Sequence, residues 1–182
     1  MIAVSASSAI AMPKLSPDAP SPATGVGRRV DTELTGTAHS AGAISVHGGH
    51  GDANGMPRQM AEVLRSPAVC SGADDCARAV RERVRDGADI IKITATGGVL
   101  SQGDGVGAPQ LGPAEMQAVV DEATRAGRKV AAHAHGTLGI KEAVLAGVHS
   151  IEHGSVLDSE TINLMKRRGT YLVPTVAVGA YV

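Results

Sequence analysis

Residues 127–154 read GRKVAAHAHGTLGIKEAVLAGVHSIEHG, and this stretch contains the pattern that decides the fold. A short apolar run ends in His133, a helical stretch follows, and a second short apolar run ends in His153. Gly127 and Gly147 stand just before the two apolar runs, where glycine ends a helix by adopting a left-handed conformation. The spacing therefore predicts two parallel strands joined by a helix.

The same arrangement recurs along most of the chain. The pattern predicts four helices that each end in a glycine, over residues 74–86, 113–126, 138–146 and 159–168. Each helix is followed by a short apolar strand, over residues 89–94, 129–133, 150–153 and 171–175. An earlier strand over 42–46 precedes a Gly-rich loop, so about five βα-type units are predicted, the last without its helix.

Parallel strands with intervening helices form either an open doubly wound sheet or a closed TIM barrel, (β/α)8. Lys92, His133 and His153 each fall at or near the carboxyl end of a strand, which favours the barrel, since its active-site rim is built there. A full barrel needs about 250 residues. We therefore predict an α/β fold of about five units, an incomplete barrel over 37–182, behind a disordered or poorly docked leader over 1–36.

Composition excludes several classes of function. The 182 residues carry a formal charge of −1 and no basic patch, which argues against nucleic acid or an anionic membrane as partner. Only 2 Tyr, and no Phe or Trp, are present, so stacking platforms for bases are not expected. No run of 18 apolar residues exists to span a membrane.

Two cysteines, Cys70 and Cys76, are too few for a thiolate metal site. The sequence favours free thiols in a reducing compartment, and hence a cytoplasmic protein without a signal peptide.

Lys92 lies inside the apolar run Ile-Ile-Lys-Ile, where a lysine needs a partner. Four interpretations remain open: a side chain that reaches solvent from the strand end, a Schiff-base lysine, an anion clamp, or a carboxylated lysine. A buried amine has a lowered pKa, which helps it to add carbon dioxide and form a metal-binding carbamate.

His133 and His135 are two residues apart at a strand end, so their side chains point to one side of the sheet. His153 ends the next strand. Imidazoles from neighbouring strands are suitable ligands for a divalent cation such as zinc. His50, in the Gly-rich loop, is better explained as part of a substrate loop than as a separate metal site.

Taken together, five segments resemble the metal-dependent amidohydrolase superfamily. The resemblance runs from Ala43 to Val176 and is greatest to the imidazolonepropionase-like and Xaa-Pro dipeptidase-like branch, which includes ochratoxin-degrading amidases. The segments that carry it are GGHGD (48–52), IKITATGGVLS (91–101), VAAHAHG (130–136), SIEHG (150–154) and YLVPT (171–175).

The resemblance implies a barrel with two divalent metals, commonly zinc. It implies that Lys92 is carboxylated by carbon dioxide and bridges them, and that His133 and His153 are ligands. His135 and His50 would face the substrate. The implied reaction is hydrolysis of an amide, peptide or lactam C–N bond by metal-activated hydroxide, on a small molecule such as a dipeptide or N-acyl amino acid.

Two parts of the family pattern are missing from this sequence: the His-x-His pair of the first strand and the catalytic Asp of the eighth. We therefore expect a truncated hydrolase of doubtful activity alone, with no certain catalytic residue. The alternative is a non-catalytic half-barrel that self-associates through exposed sheet edges or needs a second chain. A phosphate-binding module using Gly97 and Gly98 is a third interpretation.

Overall fold

The computed structural model describes residues 38–52, 57, 59–60, 69–99, 101 and 105–176. The predicted leader over 1–36 lies outside these residues. Six strands are present in the described part: β1 Ala43–Val46, β2 Val69–Cys70, β3 Ile90–Thr94, β4 Lys129–Ala134, β5 Ser150–His153 and β6 Tyr171–Val173. Its four named helices are α1 Ala73–Arg85, α2 Pro113–Arg125, α3 Thr137–Ala146 and α4 Ser159–Arg168.

The predicted elements are confirmed, with bounds that shift by no more than two residues. Gly87, Gly127, Gly147 and Gly169 all have positive φ, as the predicted helix ends require. The last strand ends at Val173 rather than at residue 175, because Pro174 has no N–H to donate to the sheet. The two-residue strand β2 was not predicted, since it is too short to show a period.

All strand pairs are parallel, in the order β2-β1-β3-β4-β5-β6. From β3 to β6 the strands follow one another in sequence order, and right-handed crossovers then place all the helices on one side of the sheet. Each helix accordingly packs against the next, from α1 to α4. This one-directional winding is the arrangement of a barrel, so the described residues form an arc of a TIM barrel.

The two sides of the sheet differ in chemistry. Residues in register on neighbouring strands point to the same side. One side packs under the helices and is apolar and buried, with Ile44, Ile91, Ile93, Val130, Ala132 and Ile151. Thr94, His133 and Glu152 are in register on the opposite, inward side. The inward side therefore carries the residues with functional chemistry, while the outward side holds the fold together.

The prediction of free thiols is wrong, because Cys70 and Cys76 form a disulfide. Cys70 ends β2, and the chain turns at Gly72 (φ 82°) into α1. Cys76 lies in the first turn of that helix, which leaves the two Cα atoms 5.0 Å apart. A disulfide does not indicate a reducing compartment, so the cysteines no longer support a cytoplasmic location.

No helix among the described residues is both long enough and apolar enough to cross a lipid bilayer.

The disulfide makes the stability of the chain depend on redox conditions. Reduction should lower the free energy of unfolding by about 2 kcal/mol, since closing this short loop restricts the unfolded chain. Thermal unfolding with and without reductant measures the change. The matched control is the double variant Cys70→Ala/Cys76→Ala, whose melting temperature should not respond to reductant. If both cysteines of the unreduced chain react with an alkylating reagent in denaturant, without added reductant, the disulfide is absent.

Candidate metal centre

Four imidazole rings meet at the carboxyl ends of the strands. The ring of His133, on β4, has its centroid 4.8 Å from that of His135 and 4.7 Å from that of His153. His135 and His153 stack on each other at 4.7 Å. His50, in the loop after β1, stacks on the other side of His133 at 4.3 Å. The fold therefore gathers the histidines that the sequence singled out.

Three of these rings lie close enough together to hold a cation. His133, His135 and His153 each offer one nitrogen, and these nitrogens lie within 4.8 Å of one another. The Nε2 atom of His133 is buried and has no hydrogen-bond partner in the described part of the chain. A buried polar atom without a partner is costly. A divalent cation would supply that partner, so the residues present fit a metal.

The local electrostatics keep these rings neutral. Burial lowers the pKa of His133 to about 2, and the neighbouring His50, His153, His135 and Lys92 lower it as well. Burial also lowers the pKa of His153 to about 4, again with help from neighbouring groups. Burial and His50 lower the pKa of His135. Neutral imidazole is the form that binds metal ions.

Lys92 and Glu152 form an ion pair on the inward side of the sheet. The side chain of Glu152 is 2% exposed and that of Lys92 is 18% exposed. They lie on β3 and β5, and the small Ala131 is in register with Lys92 on the strand between them. Burial lowers the pKa of Lys92 to about 8, while the contact with a carboxylate opposes that shift.

The lysine also lies close enough to the histidines to affect their charge. Its positive charge lowers the pKa of His50, His133 and His153. The amine and the imidazoles therefore belong to one electrostatic site. The second carboxylate oxygen of Glu152, Oε1, is buried and, within the described residues, has no hydrogen-bond partner.

The loop after β3 holds His50 in place. The Nδ1 atom of His50 is 2.9 Å from the Ser101 hydroxyl, which also accepts from the Gly98 amide. A side chain at Gly98 would collide with the ring, since a Cβ there would lie 2.5 Å from Cε1 of His50. The Gly97 amide donates to the carbonyl of Ala108. Both glycine amides are therefore occupied, which argues against the phosphate-binding interpretation.

The sequence pattern of the amidohydrolase family matches residues 15–180. The chain belongs to the amidohydrolase family. This assignment agrees with the arc of a TIM barrel and with the polar cluster at the carboxyl ends of its strands.

Two kinds of comparison identify similar members of the family. Ochratoxinase from Aspergillus niger is 39% identical over 154 residues, which is 76% of this chain and 32% of that protein. A crystal structure of A. niger ochratoxinase matches with 37% identity and a TM-score of 0.71. A Xaa-Pro dipeptidase with methionine bound in its active site matches with 44% identity and a TM-score of 0.70.

Both of these solved structures cover 76% of this chain, and this chain covers 35% of each of them. The chain thus spans about a third of the length of the amidohydrolases that it matches.

The sequence pattern identifies the histidines and the lysine but not the partners that hold them. Glu152 carries the same kind of signal as Lys92, because a carboxylate inside an apolar strand also needs a partner. The hydroxyls of Ser155 and Thr175, which are hydrogen-bonded to His135 and His153, gave no signal in one sequence. The assignment of His135 to substrate rather than metal stays a prediction.

The ion pair of this amidohydrolase can be tested by a double-mutant cycle. Lys92→Met and Glu152→Gln should each lower the free energy of unfolding by about 3 kcal/mol, because each leaves a buried charge or dipole without its partner. In the double variant the free energy of unfolding should fall by much less than the sum of the two single-variant losses. Denaturant unfolding of the metal-free chain gives all four values.

The exposed pair Lys141–Glu160 offers a matched control, since the same substitutions there should show little coupling. Additive effects at Lys92 and Glu152, within about 0.5 kcal/mol, would show that the two groups do not interact.

Proposed function

We propose that this chain forms the metal-binding part of a hydrolase that cleaves amide, peptide or lactam C–N bonds. The observation that carries the proposal is the buried cluster of His133, His135 and His153 beside Lys92. Membership of the amidohydrolase family supports the reaction class. Because the chain spans about a third of its relatives, activity of this chain alone is part of the proposal.

In this proposal His133 and His153 bind the metal, and zinc is the best candidate because its preferred ligands include neutral imidazoles. If a second cation binds, the carboxylated Lys92 would be a ligand shared by the two cations. A cation held there would supply a Lewis acid, the chemistry that makes water acidic near neutral pH and polarises a carbonyl.

Lys92 is proposed to react with carbon dioxide. The ammonium first releases one proton to water, which leaves a neutral amine. The lone pair of that amine then forms a bond to the carbon of CO2, one C–O π bond breaks, and the nitrogen loses a second proton. Glu152 is in contact with the amine and is placed to receive that proton. The product is a carbamate, whose oxygens are hard anionic ligands for a divalent cation.

The substrate is proposed to be a small molecule such as a dipeptide or an N-acyl amino acid. The name Xaa-Pro dipeptidase of one similar structure supports this class. His135 and His50 belong to the same cluster of rings, where their neutral rings can donate to or accept from a bound carbonyl or amide. His135 is 7% exposed and so can contact a substrate only from within the site.

A second candidate function is non-catalytic association with another copy or another chain. The observation that favours it is an apolar groove of about 360 Å³ beside α4 and β6, lined by Leu157, Ile162, Met165, Tyr171 and Leu172 among others. Tyr171 is 64% exposed. Exposed apolar surface at the edge of a sheet favours association.

Zinc binding to the metal-free chain tests the proposed metal site. The wild-type chain should bind zinc, and His133→Asn or His153→Asn should weaken binding by at least about tenfold, as expected when a ligand is removed. Titration calorimetry measures the affinity. His39→Asn is the matched control, because that histidine is exposed and lies outside the cluster. Equal affinity in all four proteins would contradict the site.

The two candidate functions are separated by activity measured together with oligomeric state. Zinc-dependent cleavage of Xaa-Pro dipeptides or N-acyl amino acids, abolished by Lys92→Ala, supports the hydrolase. A zinc-loaded chain that self-associates and cleaves none of these substrates supports the second candidate instead.

A further inference from the structure

Three of the four clustered imidazoles share one feature. Each has its Nδ1 atom at hydrogen-bond distance from a hydroxyl: His50 from Ser101 at 2.9 Å, His135 from Ser155 at 2.7 Å, and His153 from Thr175 at 2.7 Å. The hydroxyls come from three different segments, which follow β3, β5 and β6. Because the same Nδ1–hydroxyl contact is made from three separate segments, we expect it to serve one function at the site.

The chemical consequence concerns which nitrogen carries the proton. A neutral imidazole has one N–H and one nitrogen with a free lone pair. When Nδ1–H donates to a hydroxyl oxygen, the lone pair lies on Nε2. In His135 and His153 the Nδ1 atoms have partners, so Nε2 is the nitrogen left to face the cluster. In His133 the buried atom without a hydrogen-bond partner is likewise Nε2.

The pair formed by His153 and Thr175 has an unusual backbone as well. His153 has φ 73° and Thr175 has φ 45°, a region that residues other than glycine rarely adopt. For a β-branched threonine the conformation is especially unfavourable. Strain of this kind persists where the surroundings enforce it, and it concentrates at functional sites. Here both strained residues are joined by one side-chain hydrogen bond.

We propose that Thr175 and Ser155 are positioning residues of the metal centre. Their hydroxyl oxygens accept from Nδ1–H of His153 and His135. This fixes the tautomer in which the Nε2 lone pair of His153 is free for a cation and that of His135 is free for a substrate donor. The proposal rests on the proposed function, since it assigns these hydroxyls to the metal site. Partners of this kind orient metal-binding histidines and raise the affinity for the ion.

The alternative is a purely structural clasp between the ends of β5 and β6. In that case the hydroxyl would matter for stability, but either tautomer of His153 would serve. The tautomer and the zinc affinity therefore distinguish a positioning role from a structural one.

The experiment uses ¹⁵N-labelled histidine in the metal-free chain at neutral pH. Nitrogen chemical shifts and couplings should show His153 with Nδ1 protonated and Nε2 unprotonated. Thr175→Val keeps the branched shape but removes the hydroxyl, so it should mix the tautomers and weaken zinc binding by about tenfold. Thr175→Ser restores the hydroxyl and should recover both properties.

Thr170→Val is the matched control, because the Thr170 hydroxyl bonds the Val148 carbonyl at the other end of β6 and should change neither readout. Ser155→Ala should mix the tautomers of His135 in the same way. The proposal is overturned if wild-type His153 carries its proton on Nε2, a result that needs no variant to fold. It is also overturned if folded Thr175→Val keeps the wild-type tautomer and zinc affinity.

Failure of the proposed function gives a different result. If the wild-type chain binds no zinc but His153 shows the expected tautomer, the metal assignment fails while the hydrogen-bond geometry stands.

Discussion

Polar groups buried on the inward side of this sheet must find partners, and that requirement organises the whole site. An ammonium, a carboxylate and the imidazole of His133 lie where a parallel sheet would ordinarily place aliphatic side chains, and His135 and His153 join them from the strand ends. Isolated charges in such surroundings are very costly. Lys92 and Glu152 therefore pair across an intervening strand, and the loop hydroxyls of Ser155 and Thr175 form hydrogen bonds with Nδ1 of His135 and His153. Among the described residues, the buried Nε2 atom of His133 has no hydrogen-bond partner, so it is available to a ligand from outside the chain.

The sheet has one apolar side and one polar side, so the fold can bury these polar groups without disrupting its hydrophobic core. Alternation along each strand sends one residue under the helices and the next toward the interior of the arc. In β3 the residues Ile91 and Ile93 are fully buried on the helix side, while Lys92 between them faces inward. The two isoleucines thus contribute to the hydrophobic core, and the lysine between them contributes to the polar site. A site built on strand ends is also held rigidly, which a metal centre requires.

Much of this could be predicted from the sequence because the determining signals are local. Glycines such as Gly127 and Gly147 mark helix ends, and apolar runs between them mark buried strands. His133 and His153 were identified because a polar residue that ends an apolar run lies at the rim of a parallel sheet. Other features depend on contacts between distant segments. The disulfide of Cys70 with Cys76 depends on a turn at Gly72, and the pairing of Lys92 with Glu152 depends on the register of three strands.

The proposed site requires that the rings of His133 and His153 hold a cation beside Lys92. Anomalous X-ray scattering from crystals of the zinc-loaded chain can locate that cation. We expect an anomalous peak about 2.0–2.1 Å from one nitrogen of each of these two histidines. A peak bound only to surface carboxylates, or no peak with the Lys92–Glu152 contact unchanged, would contradict it.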